Sequence, residues 1–111
     1  MSINQEIIAA LAGLGPDIVP DVYTGDENEY IVFNYSSLPD DFGDDMPGEE
    51  RYLIQIHLFS PPKKNRLALR RQIKQRLFAA DFGWPSETNA SDEDSQHFVY
   101  ECEFAKAAGE E

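Results

Sequence analysis

The stretch RYLIQIHLFS at residues 51–60 decides the fold of this chain of 111 residues. Its side chains alternate between two sets, as in a β-strand whose neighbouring residues point to opposite faces of a sheet. One set is Tyr52, Ile54, Ile56 and Leu58, and the other is Leu53, Gln55, His57 and Phe59. Both sets are partly apolar. We therefore expect both faces to be covered, one by helices and the other by a partner or a second sheet.

Three elements are predicted before this central strand. Apolar residues at helical spacing predict a helix over Ile3–Leu14, with Ser2 as its N-cap. A short extended piece follows at Ile18–Tyr23. The β-branched and aromatic run at Glu29–Tyr35 predicts a strand.

A helix and a last strand are predicted after the central strand. The helix covers Asn65–Ala80, and its core stripe comprises Leu69, Ile73, Leu77 and Ala80. Leu67 and Phe78 lie away from that stripe, and this second apolar pair suits a subunit contact. The last strand covers Gln96–Phe104.

The order α-β-β-β-α-β predicts one α+β domain over residues 1–111. Its antiparallel or mostly antiparallel sheet should have about four strands, with two helices packed on one face. Residues 36–50 are expected to form a long acidic loop, and residues 86–95 a polar connection. Residues 105–111 are small and polar, and we expect a flexible C-terminal tail there.

Composition excludes several classes of protein. A single cysteine, Cys102, rules out an internal disulfide and a Cys-rich zinc site. No apolar run reaches the roughly 20 residues that span a bilayer, and we see no signal peptide. We therefore expect a protein of the cytoplasm that does not act at a membrane.

Charge is segregated along the chain. The net charge is −12, from 9 basic and 21 acidic residues. Seven basic residues lie in one window without acids: Lys63, Lys64, Arg66, Arg70, Arg71, Lys74 and Arg76. This basic segment could bind a nucleic acid, be solvated, or pair with acids of the same or another chain. It has no interleaved aromatic residues for stacking bases, and we prefer an acidic protein surface as its partner.

No cluster of reactive residues is evident, so we predict no catalytic residue, metal site or cofactor. His57 and His97 could form a metal pair if their strands are neighbours, but single strand histidines are usually surface residues or residues with satisfied hydrogen bonds. Cys102 alternates with aromatic residues, which favours a core thiol. The doublets Asp40-Asp41 and Asp44-Asp45 do not match the spacing of a calcium loop, and a solvated acidic loop is the preferred interpretation.

The order of apolar blocks is familiar over nearly the whole chain. A leading helix runs into Val22-Tyr23-Thr24, and the strands EYIVF and YLIQIHLFS follow around an Asp-rich loop. A helix then ends near Asp81-Phe82-Gly83, and the chain closes on FVYECEF at residues 98–104. This pattern resembles the tail terminator, or tail-to-head joining, family of tail-completion proteins of long-tailed bacteriophages.

The resemblance implies a non-enzymatic protein of a phage or prophage tail. Such α+β protomers form a hexameric ring that caps the tail tube, ends its polymerisation and docks it to the head connector. The implied partners are the protein itself, the tail tube protein and the connector, with DNA only passing through the lumen. The implied location is the virion tail, and the host cytoplasm during assembly.

A ring needs contacts between unlike patches of neighbouring subunits. We predict that the basic segment meets acids of a neighbouring subunit or tail partner. The basic and apolar residues of this hypothetical interface are Lys63, Lys64, Arg66, Leu67, Arg70, Arg71, Lys74, Arg76 and Phe78. Its acidic residues are Asp40, Asp41, Asp44, Asp45, Glu49 and Glu50.

Two other functions remain open from the sequence. One is a monomeric acidic adaptor, or a DNA-mimic inhibitor, that binds a basic partner protein. The other is a small enzyme with an acidic metal site at Asp40–Asp45, which a metal-dependent change in stability would favour.

Overall fold

The computed structural model describes the backbone of residues 2–43 and 46–107, and the side chains of residues 2–38 and 49–106. The first helix, α1, spans Ile3–Leu11 and the second, α2, spans Leu67–Ala79. Five strands are present in this part of the chain: β1 (Asp17–Pro20), β2 (Tyr30–Gly43), β3 (Met46–Ser60), β4 (Ser86–Asn89) and β5 (Gln96–Ala107).

These strands form one sheet in the order β1-β2-β3-β5-β4. β1 runs parallel to β2, and the other three pairs are antiparallel. The fold is therefore α+β with a mixed sheet, which confirms the predicted class. The prediction of about four strands is corrected to five, because Ser86–Asn89, part of the predicted polar connection, forms β4.

The central strand lies where its alternation predicted. β3 pairs on both sides, with Ile56 opposite Phe33 of β2 and opposite Tyr100 of β5. Its even-numbered residues from Tyr52 to Leu58 are buried in one core with α1 and α2. The core thus fills the space between the two helices and one face of the sheet.

The predicted acidic loop at 36–50 is corrected in the residues that the structure describes. Ser36 and Ser37 continue β2 opposite Leu53 and Tyr52, and further pairs in the same register follow up to Gly43, which lies opposite Met46. The cause is pairing with β3, which supplies backbone hydrogen bonds that local side-chain preferences do not reveal. Asp44 and Asp45 lie outside the described residues.

The predicted flexible tail is corrected in part. Ala105, Lys106 and Ala107 continue β5 and pair with Arg51, Glu50 and Glu49 of β3. The Nζ atom of Lys106 also lies 2.6 Å from a carboxylate oxygen of Glu6 in α1, so a tertiary contact holds this segment. Residues 108–111 lie outside the described residues.

Caps fix the two ends of α1. Gln5 donates its backbone N–H to the Ser2 hydroxyl at 3.1 Å, and the Gln5 side chain accepts the Ser2 N–H at 2.9 Å. This reciprocal capping box confirms Ser2 as the N-cap. Gly13 and Gly15, with φ of +85° and +117°, then redirect the chain into β1.

Candidate interaction surfaces

Two basic residues of α2 are bound by one carboxylate of their own chain. Arg70 donates from Nε and Nη2 to the two oxygens of Glu87, at 3.0 and 3.2 Å. Lys74 lies 3.3 Å from one of these oxygens. Glu87 therefore neutralises the middle of the basic segment from β4, an element that the sequence did not predict.

The same carboxylate also binds Tyr100, whose side chain is buried in the core. The Tyr100 hydroxyl donates to Glu87 at 2.7 Å. The hydrogen bond from Arg70, with those from Tyr100 and Lys74, holds the pKa of Glu87 at about 2. Burial and the nearby carboxylate raise the pKa of Tyr100, which keeps its hydroxyl protonated.

A second intrachain cluster lies where α2 begins. Arg66 donates from Nη2 to Glu29 at 3.0 Å, and the buried Ser60 hydroxyl donates to the other Glu29 oxygen at 2.8 Å. The Nε atom of Arg66 is 2.6 Å from Glu29 but lacks hydrogen-bond geometry. Lys64 is a more distant partner of Glu29, at 3.9 Å. The cluster fixes the start of α2 to the start of β2 and the end of β3.

Arg76 is held by backbone. Its Nη1 atom donates to the carbonyl oxygens of Ala12 at 2.9 Å and Ala10 at 3.4 Å. These carbonyls lie at the end of α1, where the helix dipole favours a cation. Arg76 therefore joins the two helices.

We call one exposed patch the α2 outer surface. It comprises Leu67, Arg71 and Phe78 of the predicted set and the adjacent Trp84. Three of them are exposed apolar residues, with Leu67 at 55%, Phe78 at 59% and Trp84 at 58%. The rings of Phe78 and Trp84 meet edge to face, with centroids 5.9 Å apart. Across the part of the chain that the structure describes, Arg71 and Lys63 have no carboxylate partner.

The predicted acidic set lies far from α2 in the same chain. Arg70 stacks on Phe98, whose strand partner is Leu58, whereas Glu49 is nine residues further along β3. At the rise of an extended strand this separation is about 30 Å. Asp40 lies opposite Glu49 on β3, and the side chains of Asp40 and Asp41 lie outside those described. Pairing between the two sets within one chain is therefore absent for Glu49 and Glu50, and pairing between chains stays a prediction.

The sheet face turned away from the helices, which we call the open face, carries a trough. Its volume is about 500 Å³. The side chains that project from the open face into it are Asn34, Ser36, Leu53, Gln55, Glu101 and Glu103. Glu101 and Glu103 are exposed, and Leu53 is partly exposed at 37%. The trough is thus acidic with an apolar spot, and it was not predicted from the sequence.

The two histidines meet beside this trough. The Nδ1 atom of His57 is 2.8 Å from Nε2 of His97, and Nε2 of His57 is 3.4 Å from the Asn34 amide. An amide that donates to Nε2 leaves Nδ1 of His57 as the donor to His97. The nitrogens therefore bond one another instead of converging on a cation.

The histidine pair ends a row of stacked rings. His97 stacks on Phe59 at 4.2 Å, Phe59 on Tyr30 at 5.1 Å, and Tyr30 on Tyr23 at 4.1 Å between centroids. The row crosses three strands on the open face. Aromatic rings thus cover part of this face, for which the sequence predicts a partner or a second sheet.

Acidification should destabilise the fold through the histidine pair. Burial lowers the pKa of His57 and of His97 below 6.5, and His57 is lowered further by His97. Glu101 and Asp92 act in the opposite direction. The unfolded chain therefore binds protons first, and stability falls as the pH drops below about 6.5. The urea midpoint should decrease from pH 7.5 to pH 5.5 in the wild type, and change less in His57→Gln/His97→Gln. Equal changes in both proteins would contradict this.

Cys102 projects to the core side of β5 and has no partner cysteine. Burial raises the pKa of its thiol from 9.0 to about 11, which cuts the thiolate fraction about 100-fold. We expect iodoacetamide at pH 8 to alkylate the folded protein far more slowly than the protein in 8 M urea. Equal rates would show that the thiol is accessible and ionised.

Among the described side chains, those of residues 2–38 and 49–106, no three His, Cys, Asp or Glu are grouped so as to hold a metal ion. In the run Asp92-Glu93-Asp94, Asp92 accepts the backbone N–H groups of Asp94 and Ser95 and so closes a turn. No helix among the described residues is both long and apolar enough to cross a membrane. No protein-family model matches this sequence, and a search of curated proteins gave no match.

Proposed function

We propose that this chain is a non-enzymatic structural protein of a phage or prophage tail. It assembles into a ring, a hexamer in the finished tail, that caps the tail tube, ends its polymerisation and docks it to the head connector. The order of apolar blocks in the sequence supports this function.

One structural observation carries the proposal: the protomer exposes two unlike surfaces on opposite sides of one sheet. The α2 outer surface is apolar with a free cation, and the open face holds the acidic trough. Unlike patches on opposite sides of a subunit are what head-to-tail association requires, and such association closes into a ring when the rotation between subunits permits.

The charge of the chain suits this role. The net charge is −12, and most cations of the basic segment are paired within the protomer, such as Arg66, Arg70 and Lys74. In a ring of such subunits, an acidic lumen would repel DNA and limit its adhesion during passage.

The test uses the tube protein encoded in the same genome. Purified tube protein is polymerised with and without this chain, and the products are viewed by electron microscopy and native mass spectrometry. We expect shorter tubes with a ring at one end. Tubes of unchanged length, with this chain remaining monomeric and unbound, would overturn the proposal. Selective binding of a monomer to a basic host protein would instead support the adaptor function.

A further inference from the structure

We infer that the α2 outer surface of one copy docks into the open-face trough of the next copy, with Arg71 paired to Glu101 and Glu103. The inference rests on the proposed ring and specifies its contact. It also moves the acidic half of the interface from the hairpin of β2 and β3, where the sequence placed it, to the trough.

Charge selects this pairing. Arg71 is exposed at the middle of α2 and, among the described residues, has no carboxylate partner. Glu101 and Glu103 are exposed carboxylates, and no basic residue lines the trough beside them. A free guanidinium and two free carboxylates on opposite sides of the protomer can meet only between copies. Docking removes water from such a pair and strengthens its attraction.

Apolar contacts match as well. Leu67 and Phe78 flank Arg71 on one side of α2, about 16 Å apart along the helix axis. On the open face, Leu53 is 37% exposed and lies opposite Glu103, and Leu38 is 51% exposed and lies opposite Arg51. Leu38 and His57 bound a stretch of about 20 Å, given by the β2–β3 register, which accommodates the helix segment. Both leucines lie at one end of this stretch, so they would cover one apolar end of the α2 outer surface.

The other cations of the basic segment are less suited to this contact. Arg66, Arg70 and Lys74 are committed to Glu29 and Glu87, and Arg76 to the end of α1. Pairing them with a neighbouring copy would leave those carboxylates and carbonyls with weaker partners. Arg71 can bind a second copy without disturbing its own chain.

Charge reversal tests the contact. We expect Arg71→Glu, and separately Glu101→Arg/Glu103→Arg, to weaken self-association at least tenfold, measured by analytical ultracentrifugation or by ring formation on tube ends. Combining all three changes should restore association to within about threefold of wild type. Glu93→Arg/Asp94→Arg makes the same charge change at an exposed turn and should have little effect.

The hairpin acids provide the competing outcome. If Glu49→Arg/Glu50→Arg disrupts assembly while the trough variant does not, the inference is overturned and the contact predicted from sequence is favoured. Failure of the combined variant to recover would also overturn it. Circular dichroism and urea unfolding of each variant separate loss of assembly from loss of folding.

A disulfide trap gives an independent readout. In a Cys102→Ala background, Arg71→Cys/Glu103→Cys places one thiol on each side of the sheet, so the two cannot bridge within one copy. Oxidation should yield a ladder of covalent oligomers, and monomers only would contradict the contact. If rings form on tubes but reversal and trapping have no effect, only this inference fails. If no self-association occurs with or without tubes, the proposed function fails too.

Discussion

Replacing Glu87 with alanine should lower the free energy of unfolding by about 2 to 3 kcal/mol. Its carboxylate binds Arg70, Lys74 and Tyr100, and the side chain is only 17% exposed. Removal leaves two cations and a buried hydroxyl without their shared partner. Urea unfolding followed by circular dichroism at pH 7 measures the loss. Glu93→Ala, at an exposed position, should change stability by less than about 0.5 kcal/mol.

The pH dependence of stability provides a second test of the contacts of Glu87. The pKa of Glu87 is held at about 2, below its ordinary 4.5, so the folded state favours the ionised form. Its contribution is complete above about pH 5.5 and is lost as the pH falls through 4.5 towards 2. Stability between pH 5 and 3 should therefore decrease less in Glu87→Gln than in the wild type. Parallel curves for the two proteins would show that Glu87 is not bound as described.

Truncation of a buried side chain of α1 should destabilise the fold by a comparable amount. Two adjacent isoleucines of this helix provide a matched pair of variants. Ile7 is fully buried, whereas Ile8 is 38% exposed. We expect Ile7→Ala to cost about 3 kcal/mol, because it removes buried apolar surface and leaves a cavity. Ile8→Ala makes the same chemical change and should cost less than about 1 kcal/mol. Similar losses in thermal or urea unfolding would mean that α1 does not pack on the sheet as observed.

This isoleucine pair also shows what periodicity can predict. The spacing of apolar residues correctly predicted α1, α2 and the central strand, because each buries one stripe or one face. It could not decide whether Ile8 is buried. Ile7 and Ile8 are equally apolar, and the angle at which α1 lies on the sheet is set by contacts with distant residues.

The elements that the sequence did not predict are held by pairing with distant strands. Ser86–Asn89 is polar throughout, yet it forms β4 because β5 provides backbone partners and α2 provides cations for Glu87. Residues 36–43 become strand for the same reason. No local pattern of apolar residues distinguishes such segments from loops.

The candidate surfaces, like the strands, could be predicted from the sequence only in part. The basic segment was visible in the sequence. Its partners within the chain, Glu29 and Glu87, are not the acids that were paired with it from the sequence. The trough combines residues from three strands, Asn34, Leu53 and Glu101 among them. Its acidity depends on the register of β5 against β3, which places Glu103 opposite Leu53, and the order of elements along the chain does not specify that register.

Arg76 has a consequence for how this protein can vary. It binds the carbonyl oxygens of Ala10 and Ala12, which every amino acid possesses. Substitutions that change only the side chain at the end of α1 therefore leave both acceptors in place. An inserted or deleted residue there moves the acceptors around the helix axis by about 100° and removes them from reach. The junction between the two helices thus tolerates exchange of residues while it fixes the length of the chain that crosses it.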